Sequence, residues 1–317
     1  MSLKPIESIV RSVKALKREL TRPHASPLPQ HAADWKRPRL GIALGGGFAR
    51  GLAHIGVLKT LEDEGLKPDF VAGTSVGAVI GACYCSGVSA KELTEIAGII
   101  RFKDIARYCV SRLGLCSNDR MTQLLLRICK VRTFEELTTP LAVVATDFLT
   151  GESVQFRSGD LIDPVRASCA YPGIFTPVNV RGRLMVDGML AHCVPAIPVR
   201  EMGAEKIISV SFNAHWVRSG APRHVLDIIG QCFSIVTANM DGVWQAITDV
   251  SLVPDVTAFA YDAFDKAPQL IEAGVQAARA ALPQLHAMMK APETTLQTTA
   301  PAVSTAQLQT ALNSVGD

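Results

Sequence analysis

Asp69-Phe70-Val71-Ala72-Gly73-Thr74-Ser75-Val76-Gly77 runs from a short apolar stretch through a G-x-S-x-G pattern into the small-residue run Ala78 to Ser86. Strand, tight turn and helix in that order are the context that a nucleophile elbow requires, and they make Ser75 the candidate nucleophile. A serine held on so sharp a turn has backbone on both sides, so side chains at 73 and 77 would collide with it. Its hydroxyl then projects at a helix N-terminus, where the aligned peptide dipoles favour developing negative charge. The pattern also arises by chance, and alone it does not establish chemistry. Phe70 to Ala90 is uncharged, and Gly73, Gly77 and Gly81 form a G-x-x-x-G series within it, so the stretch resembles a membrane span. Its interior Gly, Ser and Thr lower its hydrophobicity, and a strand, an elbow and a buried helix already use its length.

Upstream, Leu40-Gly41-Ile42-Ala43-Leu44 is a second apolar strand that runs directly into Gly45-Gly46-Gly47-Phe48-Ala49-Arg50-Gly51 and then a helical pattern, Leu52, Ile55, Leu58 and Leu61. Successive amides without side chains to block them can converge on a negative oxygen, with a helix dipole behind them. A dinucleotide site fits poorly, because Gly45, Gly47 and Gly51 are spaced one residue too widely and Arg50 stands where the third glycine belongs. A phosphate-binding P-loop would end in G-K-[ST], and this loop ends Arg50-Gly51-Leu52. The remaining reading is an oxyanion hole serving Ser75. Two successive strand-loop-helix units bring both loops to one edge of a parallel sheet.

Ile6, Ile9, Val10, Val13, Leu16 and Leu20 recur at helical spacing opposite Lys and Arg, so residues 4 to 20 read as a basic amphipathic helix. Two uses are open to it: docking on an anionic membrane surface, or laying its apolar stripe on the domain. Pro23, Pro27, Pro29 and Pro38 make the following stretch a linker, so 1–37 is expected as an arm, 38–290 as the main domain and 291–317 as a disordered tail rich in Thr, Ala and Gln. The chain's net charge of +3 conceals +6 over residues 1–40, which points the arm rather than the domain at an anionic partner. With 317 residues and 48% hydrophobic content the chain can bury a large core, which excludes wholesale disorder. Eight cysteines without a C-x-x-C pair fit reduced thiols in a cytoplasmic protein better than a disulfide framework, and the basic helix would add peripheral membrane association. Charges interrupt Ile6 to Leu20, so no signal-peptide core is present there.

Downstream of the elbow, Ser89-Ala90-Lys91-Glu92 is a capping box, and Thr133-Phe134-Glu135-Glu136 repeats the form. Asp119 to Val131 reads as a helix, and the region around it as a flap or partner surface over the site. Leu141 to Ala145 is a strand, and Asp147 beside Thr150-Gly151 suits a capping role better than an acidic one. Val178 to Val180 and Arg183 to Val186 flank a turn at Arg181-Gly182, and the second strand delivers Asp187-Gly188. A carboxylate at a strand end is well placed for chemistry, although Asp-Gly is also a turn dipeptide. Pro195 to Met202 is a short helix, Lys206 to Phe212 a strand, and long helical patterns follow from Pro222 and from Pro268. No paired His or carboxylate spacing suits zinc or calcium, so neither metal nor cofactor is expected.

G-G-G-F-A-R-G at 45–51, G-T-S-V-G at 73–77, A-S-C-A-Y-P-G at 167–173 and D-G-M at 187–189 stand in one order at one set of spacings. Together they resemble the patatin-like phospholipase family, in its bacterial branch akin to the neuropathy target esterase catalytic domain, over roughly 38–290. The resemblance implies a three-layer α/β/α sandwich with a mostly parallel central sheet. It also implies a serine lipid acyl hydrolase in which Ser75 attacks the ester carbonyl and Asp187 is the general base, with no histidine between them. Gly45, Gly46 and Gly47 would stabilise the oxyanion, and Arg50 would pair with a substrate phosphate or form a structural salt bridge. The expected partner is a lipid or ester, not nucleic acid. The chain departs from the family at Met189, His192 and Cys193. Two competing readings are a conventional Ser-Asp-His esterase drawing on His192, His215 or His224, and a nucleotide-binding or scaffolding protein that keeps only the fold. His54 is expected as a packed helix residue.

Overall fold

The computed structural model describes residues 37–109, 111–212 and 225–290. Apart from Arg37, the expected arm and tail lie outside the described residues, as do His215 and His224.

Side chains alternate along a strand, so β1 (Leu40–Leu44) turns Leu40, Ile42 and Leu44 to one face and Gly41 and Ala43 to the other. All of β1 is buried, as are β2 (Phe70–Thr74) and β5 (Leu141–Asp147), the signature of strands covered on both faces. With β10 (Lys206–Val210) and β11 (Val250–Leu252) they form a parallel sheet in the order β11-β10-β1-β2-β5. β9 (Arg183–Asp187) extends it antiparallel to β5, followed by β8 (Val178–Val180), while β6 (Ser153–Phe156) pairs with β5 as well. The β8–β9 hairpin turns on Arg181 and Gly182 at φ of 53° and 80°, the paired positive values of a tight two-residue turn.

On the face bearing Leu40, Ile42 and Leu44 lie α1 (Ala53–Asp63), α2 (Val76–Cys85), α3 (Ala90–Ile99), α5 (Asp119–Ile128), α6 (Ile162–Ser168) and α9 (Ala267–Lys290), around one large apolar core. The opposite face presents the smaller Ala43, Ala72 and Ala142 to α7 (Ala196–Glu201) and α8 (Val225–Gln245), with Val199 and Trp244 in that layer. Three layers result, as expected. Ser89 and Glu92 close the capping box that opens α3. Asp147 Oδ1 accepts from the amides of Leu149 and Thr150, so this residue shapes its turn, and Arg183 Nε binds its other oxygen at 2.6 Å.

A second, small sheet was not foreseen. The one-turn helix α4 (Phe102–Ile105) leads into β3 (Arg107–Tyr108), β4 (Gly114–Ser117) and β7 (Gly173–Phe175), in the order β3-β4-β7. Such short strands of mixed composition carry too little periodicity to stand out. Among the described residues no helix is long and apolar enough to cross a membrane.

Candidate active site

Parallel pairing of β1 with β2 puts Leu44 opposite Gly73, so the glycine loop and the elbow leave the sheet side by side. Ser75 sits at φ 54°, ψ −123°, a left-handed conformation that a non-glycine residue holds only when its surroundings enforce it. They do so by close approach. A Cβ at 73 would lie 2.5 Å from Gly77 O, and one at 77 would lie 2.1 Å from Leu44 O. The elbow is also pinned from β5: the Ser75 amide donates to Ser168 Oγ at 2.8 Å, and that fully buried hydroxyl donates to Val144 O at 2.6 Å.

Asp187 ends β9, whose antiparallel pairing with β5 sets it opposite Ala145. Its amide donates to Ala170 O at 3.0 Å, and its carbonyl accepts from Thr146 Oγ1 at 2.9 Å, so the backbone is fixed at both ends. The carboxylate reaches across the sheet edge: Ser75 Oγ donates to Asp187 Oδ2 at 2.8 Å, while Oδ1 accepts from the Met189 amide at 2.9 Å. Ser75 is 6% exposed and Asp187 not at all. Burial pushes the Asp187 carboxyl up to about 7, against the smaller opposing effect of those two hydrogen bonds.

No histidine side chain bonds Ser75 or Asp187 among the described residues. His192 contributes its backbone carbonyl, which accepts from Thr74 Oγ1 at 2.8 Å. His54 is fully buried on α1, and burial lowers its pKa to about 4, so its ring is neutral. Its Nε2 lies 2.8 Å from Gly45 O, the pairing of a donating N–H with a carbonyl, which ties α1 to the glycine loop. The residue is packed, as expected, and it also positions the loop.

Two expectations about that loop need correction. The amides of Gly45 and Gly46 already donate to Val210 O at 3.0 Å and Cys193 O at 3.1 Å, so they anchor the loop and are not open donors. Among the described residues the amides of Gly47 and Val76, on the two sides of the site, have no hydrogen-bond partner. Arg50 is not poised for a headgroup. Its Nε and Nη2 both donate to Phe259 O, at 2.9 and 2.6 Å, and its guanidinium lies 3.9 Å over the Tyr261 ring. The expected salt bridge is absent too among the described residues: a carbonyl and an aromatic face hold this buried cation instead.

From Ser75 an apolar cavity of about 110 Å³ extends away from the sheet edge. Phe48, Val76 and Cys169 line it together with Ser75, and residues of α1, α2, α3 and α5 form its walls, among them Ile55, Ile80, Ile96 and Leu124. The region expected as a flap thus supplies a wall of the site.

Comparison with known proteins is consistent with this geometry. A model of "patatin-like phospholipase" matches residues 42–200, a span that includes both Ser75 and Asp187. The chain belongs to the patatin-like phospholipase family. An NTE family protein of Mycobacterium tuberculosis is 37% identical over 182 residues, covering 56% of this chain and 49% of that protein. Human patatin-like phospholipase domain-containing protein 6 is 32% identical over 188 residues, or 55% of this chain and 13% of the other. Lysophospholipase NTE1 of Mycosarcoma maydis is 24% identical over 79% of this chain and 14% of its own length. The chain thus spans about half the length of the mycobacterial relatives it matches and far less of the others. VipD from Legionella pneumophila shares the fold, with a TM-score of 0.52 at 12% identity over 80% of this chain and 67% of that one.

Within this patatin-like fold, three supporting residues escaped the sequence reading. Ser168 lies in the A-S-C-A-Y-P-G motif, which marked the segment without giving the serine a task. Thr146 gave no signal because its partner, Asp187 O, is distant in sequence, and His54 was expected only as a packed residue, its bond to Gly45 O forming once the loop folds back onto α1.

Proposed function

We propose that this chain is a serine lipid acyl hydrolase working through a Ser75–Asp187 dyad. The observation that carries this is the direct 2.8 Å bond from Ser75 Oγ to a fully buried carboxylate whose basicity burial has raised. An ordinary aspartate is too weak a base for a serine hydroxyl, and moving its pKa toward the working pH is what makes the transfer feasible. As Oγ bonds to the ester carbonyl carbon, its proton passes to Asp187 Oδ2. The tetrahedral oxyanion is met by the amides of Gly47 and Val76, the open donors flanking the nucleophile. Collapse breaks the bond to the alcohol, which leaves with the proton from Asp187. Water then gives a proton to Asp187 as it attacks the acyl-enzyme, and Asp187 returns that proton to Ser75 Oγ as the Oγ–acyl bond breaks, releasing the fatty acid. The apolar cavity beside Ser75 suits the acyl chain. The patatin-like family and a relative named as a lysophospholipase support a lipid ester as substrate.

A fluorophosphonate probe tests the nucleophile directly. Labelling of the folded chain, lost in Ser75→Ala, is the expected result; a folded chain that takes no label leaves only the scaffold reading. Products released from a mixed lipid extract then identify the alcohol side of the ester.

The pH profile tests the base. The buried carboxyl must be ionised to accept the proton, so kcat/KM should fall below an apparent pKa of about 7, roughly tenfold per pH unit. An acid limb near the ordinary aspartate value would remove Asp187 from that role.

A further inference from the structure

We propose that the outer face of residues 99–109 and 111–127, built on the β3–β4 hairpin, is a docking surface for an anionic lipid bilayer. The inner side of this segment belongs to the site: Ile100, Ile105 and Leu124 line the apolar cavity that ends at Ser75. Cys116 and Ala106 pack inward in a cluster with Phe175 and Tyr171. Strand alternation therefore sends Leu115 outward, 52% exposed, with Leu113 exposed beside it at 66%, and Arg107, paired with Ser117, shares that face. Ile99 at the end of α3 is 76% exposed as well. An outward hairpin face is ordinarily polar, and this one carries exposed aliphatic side chains.

The surrounding charge says what covers it. Arg101, Lys103, Arg107, Arg112, Arg120 and Arg127 stand in this segment against Asp104 and Asp119 alone. Asp119 is already bound by Arg107 at 3.3 Å and Arg166 at 2.7 Å. Lys103, Arg112 and Arg127 have no ion-pair partner among the described residues. A second copy meeting this face by two-fold symmetry would oppose like charges. The chain's own first 40 residues carry +6 and would be repelled for the same reason. Nucleic acid would satisfy the cations but leave Ile99, Leu113 and Leu115 without use. An anionic membrane satisfies both: lipid phosphates meet the cations, and the aliphatic tips enter the interface. Docked this way, the wall of the acyl cavity rests on the surface from which an acyl chain is drawn.

The test uses the full chain carrying Ser75→Ala, so that vesicle lipids persist. Partition is measured on equimolar phosphatidylglycerol–phosphatidylcholine vesicles, with and without Arg112→Glu plus Leu113→Asp. Reversing one basic residue and charging one apolar tip should weaken partition roughly thirtyfold or more, with the melting temperature unchanged because both positions are exposed. Leu115→Trp should be quenched by lipids brominated in their acyl chains. If the double variant melts abnormally, Lys103→Glu with Leu115→Ser replaces it. Equal partition with and without the changes, no vesicle binding at all, or an unquenched tryptophan at 115 overturns the proposal. So does a concentration-dependent dimer, or nucleic-acid binding, that the double variant abolishes while vesicle binding persists. The proposal stands apart from the hydrolytic reading. A chain that docks but hydrolyses nothing would remove the dyad's function and leave this surface, whereas hydrolysis with unaltered partition would do the reverse.

Discussion

Asp187→Asn should lower turnover of any ester the chain accepts by about 10³- to 10⁴-fold while leaving the protein folded. The amide is nearly isosteric with the carboxylate, and its oxygen can still accept from the Met189 amide, the 2.9 Å bond that orients the group. Its nitrogen then faces Ser75 Oγ as a donor. The hydroxyl proton has no acceptor, so the nucleophile cannot form, although the elbow, the open amides and the cavity are intact. Stability separates this outcome from misfolding. Burial raises the Asp187 pKa from 3.8 to about 7, so between those values the native state holds a proton that the unfolded chain has lost. Native stability is therefore lost progressively as pH rises through that window and is constant above it. The asparagine variant carries no such penalty, and its melting temperature should gain on the wild type as pH rises from 5 to 8. Retained activity in a folded Asp187→Asn protein would sink the dyad. A dependence on His192, His215 or His224 instead would establish a triad.

Gly77→Ala should damage the protein by a different route. The added Cβ would lie 2.1 Å from Leu44 O, 2.6 Å from Leu44 C and 2.8 Å from Gly45 O. All three are backbone atoms at the junction of β1 and the glycine loop, and none can swing aside as a side chain would. The helix carrying the elbow must move off the strand carrying the loop, at an expected cost of about 3 kcal/mol or more. A melting temperature lower by roughly 8 °C or more follows for a domain of this size. In whatever folds, the open amide of Gly47 and the nucleophile are no longer in register, so activity should drop at least about 100-fold. Gly98→Ala is the control. No atom lies within 4 Å of a Cβ at that helical position, so alanine should stabilise the chain by up to about 1 kcal/mol and leave turnover unchanged. Near-native stability of Gly77→Ala would mean that strand and helix yield more readily than their packing indicates.

Local patterns were legible wherever neighbours in sequence are neighbours in space. The apolar runs of β1, β2 and β5 read as strands because both of their faces are buried, and the glycines at 73 and 77 read as an elbow because the turn itself excludes side chains. The Ser89 capping box and the Arg181-Gly182 hairpin are closed within four residues, so their signals are complete in the sequence. Asp147 and Asp187 each end a strand and accept an amide two residues on, so the local pattern does not separate them; the D-G-M motif of the family resemblance did. What failed was the use of each polar group whose partner comes from another element. Gly45 and Gly46 looked like open donors because the loop alone leaves them unpaired, but β10 and the segment after Asp187 supply Val210 O and Cys193 O. Arg50 looked like a phosphate ligand because nothing nearby in sequence neutralises it, and Phe259 and Tyr261 lie some two hundred residues away. The basic, apolar hairpin over the cavity went unread because its strands are too short for periodicity and its cations are scattered between hydrophobic residues.

By itself the sequence determined the layered α/β architecture and the family, and it nominated Ser75 and Asp187, because the order and spacing of motifs along the chain suffice for these. Only the tertiary structure decided that Ser75 and Asp187 touch, that no histidine among the described residues comes between them, which amides remain open, and that burial raises the Asp187 carboxyl. Those are properties of groups brought together across the sheet edge, where a donor's fate depends on which distant acceptor the fold sets beside it.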